Sequence, residues 1–147
     1  MGGGERQRRY TLDETSAAAR FFDALNARSP QKMREVLADD FVYDEVAGKG
    51  EWSANALISE FQMVFDAFPD ITFRPVRQTA EGNRLYIEFR AFGVHQQEFL
   101  NVPPTGAMAI ISGVFNLEQD DRAIHRLSMT VDFGGLRRQL LTAARSR

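Results

Sequence analysis

Ala107-Met-Ala-Ile-Ile-Ser-Gly-Val-Phe-Asn-Leu-Glu118 is the longest apolar run in the chain, and its reading decides the fold. As a strand it has two faces. Met108, Ile110, Ser112, Val114, Asn116 and Glu118 share one, while Ala109, Ile111, Gly113, Phe115 and Leu117 share the other. Both carry substantial apolar surface, so both need cover. Helices supply one cover; a partner subunit is the expected source of the other. Outward from this run lie further strands. The polar turn Gln119-Asp-Asp-Arg122 leads to a last strand, Ala123 to Asp132, and Glu81-Gly-Asn83 is a hairpin turn by composition. After it, Leu85, Ile87 and Phe89 alternate with Tyr86, Glu88 and Arg90. Ile71 to Thr79 alternates as far as Pro75, where the pattern slips as at an edge or a bulge. Phe99 to Gly106 contains Pro103-Pro104 and is a loop or a broken edge.

The first half of the chain has helical periodicity. Thr11-Leu-Asp-Glu14 has the spacing of a capping box, and Leu12, Ala19, Phe22 and Leu25 predict an amphipathic helix running to about Ala27. Ser29 and Pro30 suit the cap and first residue of a second helix lined by Met33, Val36 and Leu37. Asp40 to Val46 is a short strand. Ser53 then starts a third helix with Leu57, Phe61, Val64, Phe65 and Phe68 on its apolar face, ended by Pro69. Helices followed by a meander predict an α+β fold, with helices packed on one face of a curved sheet. No repeat or linker divides the chain: residues 1–10 are expected as a tail and 11–147 as one domain.

Composition narrows the function. The 147 residues carry 18 basic and 20 acidic side chains, and a net charge of -2 gives no general attraction to nucleic acid or an anionic membrane. Cysteine is absent, so no disulfide or thiolate metal site forms, and the two histidines, His95 and His125, lack an HExxH spacing. No metal or cofactor is expected. No stretch reaches the roughly 20 apolar residues of a membrane span, and a cytoplasmic protein is the expectation. Twelve phenylalanines serve either as core or as the lining of a cavity for a flat, ring-forming ligand.

The final strand ends in a carboxylate, Asp132, just before Gly134-Gly135 and a helical tail. Alternation puts Ile124, Arg126, Ser128, Thr130 and Asp132 on one face, and His125, Leu127, Met129 and Val131 on the other. A polar strand face that simply meets water is the plain alternative. Tyr43 offers a hydrogen-bond donor for an enolate oxygen, or else packing. His95, after Gly93, is placed to polarise a carbonyl or to brace a loop.

Phe68-Pro-Asp-Ile71 after a helix, the stretch Gly93-Val-His-Gln-Gln-Glu-Phe-Leu-Asn-Val-Pro-Pro-Thr-Gly106, and Asp132 before Leu136-Arg-Arg-Gln-Leu140 together resemble the SnoaL-like polyketide cyclases. These sit within the nuclear transport factor 2-like superfamily. The resemblance runs in order from about Phe21 to Leu141. It implies an α+β cone: three helices and a strongly bent mixed or antiparallel sheet around one deep pocket, often oligomeric through the outer sheet face, here as a homodimer or homotetramer. It also implies intramolecular aldol closure of a polyketide ester, with Asp132 as general acid/base and Asn116 and Glu118 facing the pocket. Where the family often has I-x-E-x-W, this chain reads Ile124-His-Arg-Leu-Ser128, so Arg126 and Ser128 replace an acid and a tryptophan. Glu88 stands where members often carry arginine, which suggests a Glu88–Arg126 pair across the sheet.

Aldol closure needs a proton taken from a methylene flanked by carbonyls and one delivered to the new alkoxide. A carboxylate does this without a metal if an apolar wall raises its pKa. Asp132 stands between Val131 and Phe133 in sequence, and the third-helix phenylalanines Phe61, Phe65 and Phe68 are its expected walls. The expected site therefore comprises Asp132, His95 and Asn116 for catalysis, and Tyr43, Phe65, Phe68, Glu118, Arg126 and Ser128 for a hydrophobic or aromatic substrate. A binding module without chemistry, an epoxide hydrolase using Asp132, Arg126 and Glu118, and a cofactor-free hydroxylase are the alternatives.

Overall fold

The computed structural model describes Asp13 and residues 15–44 and 51–146. The capping box Thr11–Glu14 lies largely outside these residues, as do Glu45 and Val46 of the expected first strand. Helix α1 is Ala17–Asn26, and its cap is Ser16, whose side chain accepts from the Ala19 amide at 3.1 Å. One face of α1 buries Ala17, Ala18, Phe21, Phe22, Ala24 and Leu25. Helix α2, Pro30–Val36, starts as its sequence predicts: Ser29 accepts from the Lys32 amide, and Pro30 occupies the first turn, where its missing N–H costs nothing. Strand β1, Leu37–Asp44, pairs with the two-residue β2, Glu51–Trp52. Helix α3 is Ala54–Ala67, and Pro69 follows its end.

Four strands follow: β3 Thr72–Glu81, β4 Arg84–Val94, β5 Met108–Gln119 and β6 Ile124–Val131, then helix α4, Phe133–Arg145. The six-stranded sheet has the order β2-β1-β6-β5-β4-β3. All neighbours are antiparallel except β1 and β6, which makes the sheet mixed. Pro75 falls where β3 slips register against β4, on the edge strand, where a missing N–H is tolerated. Gly82 turns the β3–β4 hairpin with φ +61°. Among the described residues, α1 to α3 precede the main meander and α4 follows it.

The apolar face of the sheet is now fixed. Leu85, Ile87, Phe89 and Ala91 of β4, with Ala109, Ile111, Phe115 and Leu117 of β5, are buried beneath the helices. Phe115 lies at the centre. It stacks on Phe89 with ring centroids 4.4 Å apart, and meets Phe21 and Phe22 edge-on at 5.6 Å. Asn26 ties α1 to the sheet edge: it accepts from the Phe73 amide at 2.6 Å and donates to the Phe73 carbonyl at 3.0 Å. The opposite face of β5 leaves Met108, Ile110 and Val114 exposed.

Strand β6 departs from simple alternation. Glu118 pairs with Arg126, but Gln119 pairs with Ile124, so His125 is an extra residue in the ladder. The bulge puts both Ile124 and Leu127 in the core, each fully buried. Ile124 therefore does not share the face of Arg126, Ser128 and Thr130.

Candidate active site

A cavity of about 470 Å³ opens between α3 and the sheet. Its volume is within the range of small-molecule pockets. Helix α3 contributes Glu60, Phe61, Met63 and Val64; the strands contribute Phe73, Phe89, Ile111, Met129 and Val131. The β4–β5 loop adds Glu98, Phe99, Leu100 and Asn101, and Phe133 comes from the start of α4. The exposed part of the lining mixes apolar Met63 and Phe133 with Glu60, Glu98 and Asn101. Leu100 and Asn101 form the turn of this loop with φ of 53° and 64°, closed by the Phe99–Val102 bridge.

Asp132 is not on this wall. Val131 and Phe133, its neighbours on both sides, line the cavity, while Asp132 lies with Thr130, Ser112, Glu88 and Arg90 in a shallow depression on the outer sheet face. It is exposed, and its carboxylate accepts from the Gly135 amide at 2.8 Å as the cap of α4. A Cβ at Gly135 would collide with that carboxylate, which explains the small residue there. The expectation that Asp132 points into an apolar hollow is thus corrected by strand parity: Met129 and Val131 point in, so Thr130 and Asp132 point out.

The same parity relocates other expected site residues. Asn116 and Glu118 lie on the outer face, where Arg84 donates to both, at 3.2 Å and 2.5 Å. Arg126 pairs with Asp44 at 2.6 Å rather than with Glu88, which instead meets Arg90 at 3.1 Å and Arg77 at 3.6 Å. Ser128 is opposite Asn116 on this outer side. Such solvent-facing pairs contribute at most about 1 kcal/mol each. Phe65 and Phe68 are buried in the core, Phe65 stacked on Phe61 and Phe68 against His95, and neither lines the cavity.

Tyr43 is buried on β1, and its hydroxyl donates to Glu60 Oε1 at 2.7 Å. It reaches the cavity through Glu60. Glu60 is the residue that sequence reasoning missed; its signal is its position beside Phe61, one residue off the apolar stripe of α3. Glu98 and Asn101, also missed, sit in a loop whose path periodicity does not predict.

His95 is fully buried where β4 runs into the loop, away from the cavity lining. Its Nδ1 accepts from the Thr105 amide at 3.2 Å, which leaves the proton on Nε2, and Nε2 is buried without a hydrogen-bond partner. The ring braces the loop. Burial holds its pKa below the ordinary histidine value, against a weaker opposing pull from the Gln97 backbone. The unfolded chain therefore binds this proton more readily than the native state. The stability involved is full above about pH 6.5 and is lost as pH falls from there toward the native-state pKa. His125 works in the reverse sense. Its Nε2 lies 2.6 Å from Asp120, whose hydrogen bond raises its pKa, so its contribution is present at acid pH and fades as pH rises through that raised value. Urea midpoints between about pH 7.5 and about pH 5.5 should therefore fall less in His95→Asn than in the wild type, and more in His125→Gln. An unchanged slope in His95→Asn would contradict the burial argument.

Among the described residues no group of three or more histidines and carboxylates is placed to hold a metal ion, and no helix is long and apolar enough to cross a membrane.

A mixed sheet with helices on one face and a largely apolar cavity between them defines an α+β fold of the cone type. Residues 16–140 match the SnoaL-like polyketide cyclase family, and the chain belongs to that family. Solved structures with the same fold include IdmH of Streptomyces antibioticus, a candidate polyketide cyclase. It is 23% identical with a TM-score of 0.74 over 84% of this chain and 95% of that one. AclR of Streptomyces galilaeus, a candidate hydroxylase, is 20% identical with a TM-score of 0.74 over 87% of this chain and 82% of its own. A candidate cyclase of Acidithiobacillus ferrooxidans is 17% identical with a TM-score of 0.73, covering 90% and 99%. At these identities the likeness concerns the fold. No curated protein sequence matches the chain.

Proposed function

We propose that the protein takes a flat, apolar, polyketide-like molecule into the cavity and closes a ring on it by cofactor-independent acid–base chemistry of the intramolecular aldol type. The observation that carries this reading is the cavity itself: a volume of about 470 Å³ walled by Phe61, Phe73, Phe89 and Phe99, with carboxylates on its lining. Such walls favour a planar ligand and hold a folded chain with its reacting carbons close, which removes much of the entropic barrier to an intramolecular step. Membership of the cyclase family supports the same chemistry. The outward position of Asp132 favours a second reading, in which the cavity binds its ligand without chemistry. Exposed Met108, Ile110 and Val114 support a homo-oligomer formed through the outer sheet face.

A product-like probe tests the cavity. 1,8-Dihydroxyanthraquinone should bind, and Ile111→Trp, which fills the cavity from β5, should weaken binding by at least about tenfold while circular dichroism shows a folded chain. Equal binding by the filled variant would reject the cavity as the ligand site.

A further inference from the structure

We infer that Glu60, held by the buried hydroxyl of Tyr43, is the proton-transfer carboxylate of the cavity, a role that rests on the ring-closing reading above. The polar side chains on the lining are Glu60, Glu98 and Asn101. All three are exposed, but Glu98 and Asn101 stand on a loop, whereas Glu60 stands on α3 and is anchored from the core by Tyr43. Tyr43 is 5% exposed on β1, and its phenol is delivered to Glu60 Oε1 at 2.7 Å. A buried phenol needs an acceptor, and this one fixes the rotamer of the carboxylate that supplies it. Glu60 itself reaches the cavity because it is one turn before Val64 and adjacent to Phe61, both on the lining. Asp132, in contrast, is bonded to the Gly135 amide on the other side of the strand.

In the reaction, Glu60 takes a proton from the carbon between two carbonyls. The C–H bond breaks, an O–H bond forms on the carboxyl, and the electron pair passes into the enolate. The enolate carbon then attacks a second carbonyl carbon of the same molecule. A C–C bond forms, the carbonyl π pair moves to oxygen, and that oxygen takes the proton back from Glu60. Substrate and product are isomers, so no oxidant, reductant or metal enters the balance. Tyr43 acts through Glu60 as a positioning residue.

A carbon acid of simple chemistry tests this. In 5-nitro-1,2-benzisoxazole, a base removes the ring C–H, the N–O bond breaks, and a coloured cyanonitrophenolate is released. The base returns its proton to water. The full chain should accelerate this elimination with saturation. Glu60→Gln should lower kcat on the order of 10²-fold, the usual worth of a positioned general base. Tyr43→Phe should lower kcat several-fold with KM unchanged, the mark of a misplaced base rather than a lost binding contact. Glu35→Gln, a surface change on α2, should leave both constants alone. Thermal unfolding of each variant checks that it is folded. A folded Glu60→Gln chain with wild-type elimination overturns the assignment, as does a comparable loss in Asp132→Asn alone. If 1,8-dihydroxyanthraquinone still binds in the cavity in that case, the ring-closing site survives and only Glu60 falls. If neither compound enters, the cavity reading falls with it.

Discussion

Phe115→Ala is expected to cost about 3–5 kcal/mol of folding stability, the usual range for removing a buried phenylalanine. Phe115 is fully buried, stacked on Phe89 and edge-on to Phe21 and Phe22, with Phe61 at 6.3 Å. Those rings come from α1, α3 and β4, so no single element can move in to fill the space. The loss combines the transfer energy of the ring with the cavity left behind. Urea unfolding would read it directly, and a loss under about 1.5 kcal/mol would mean the rings collapse into the void. There is a functional corollary. Phe61 and Phe89 line the cavity, so the void at Phe115 lies behind its floor, and on the proposed function the variant should bind 1,8-dihydroxyanthraquinone more weakly even where it is folded.

Gly113→Val should be about as damaging, for the opposite reason. A Cβ at position 113 would lie 2.6 Å from the Thr130 carbonyl oxygen and 2.7–2.8 Å from the ring of Phe89. Real Cβ atoms do not come that close. The Thr130 carbonyl belongs to the neighbouring strand and cannot yield without loosening β5 from β6, while the Phe89 ring can turn only into the cavity it lines. The expected cost is about 3 kcal/mol, at the upper end for an overpacked site. Phe89→Leu should recover part of it, and a double-mutant cycle between the two positions should give a coupling above about 0.5 kcal/mol. Strict additivity would show that the ring is not what Gly113 makes room for. Here the absent side chain shapes the pocket: β5 is bare at Gly113, and the Phe89 ring lies across it.

Much of the fold was legible because its signals are local. Ser29-Pro30, Glu81-Gly-Asn83 and the slip at Pro75 mark a helix start, a hairpin and an edge through the conformations that serine, glycine and proline impose. The alternation in β4 and β5 separated two faces correctly, residue by residue. The described helix Ala17–Asn26 takes its cap from Ser16, which helical periodicity alone did not single out. The site was legible only in part. Phe61, Phe73, Phe89, Phe99 and Phe133 were among the phenylalanines considered for a lining, but Phe65 and Phe68, named for it, belong to the core. Asp132, Asn116, Glu118, Arg126 and Ser128 were grouped on the right common face, and that face is the outer one.

The reason is geometric. Alternation tells which residues share a side of a strand, but which side meets the helices depends on how the whole sheet curves, and the one-residue bulge at His125 shifts the count again. Sequence alone determined the element order, the turns, the absence of thiol chemistry and the two-faced character of β5, since each depends on residues a few positions apart. Only the tertiary structure decided that the cavity wall is Met129 and Val131 rather than Thr130 and Asp132. It alone brought Glu60 under the hydroxyl of Tyr43, because that contact joins a helix to a strand through packing, and no periodicity along the chain encodes the distance between them.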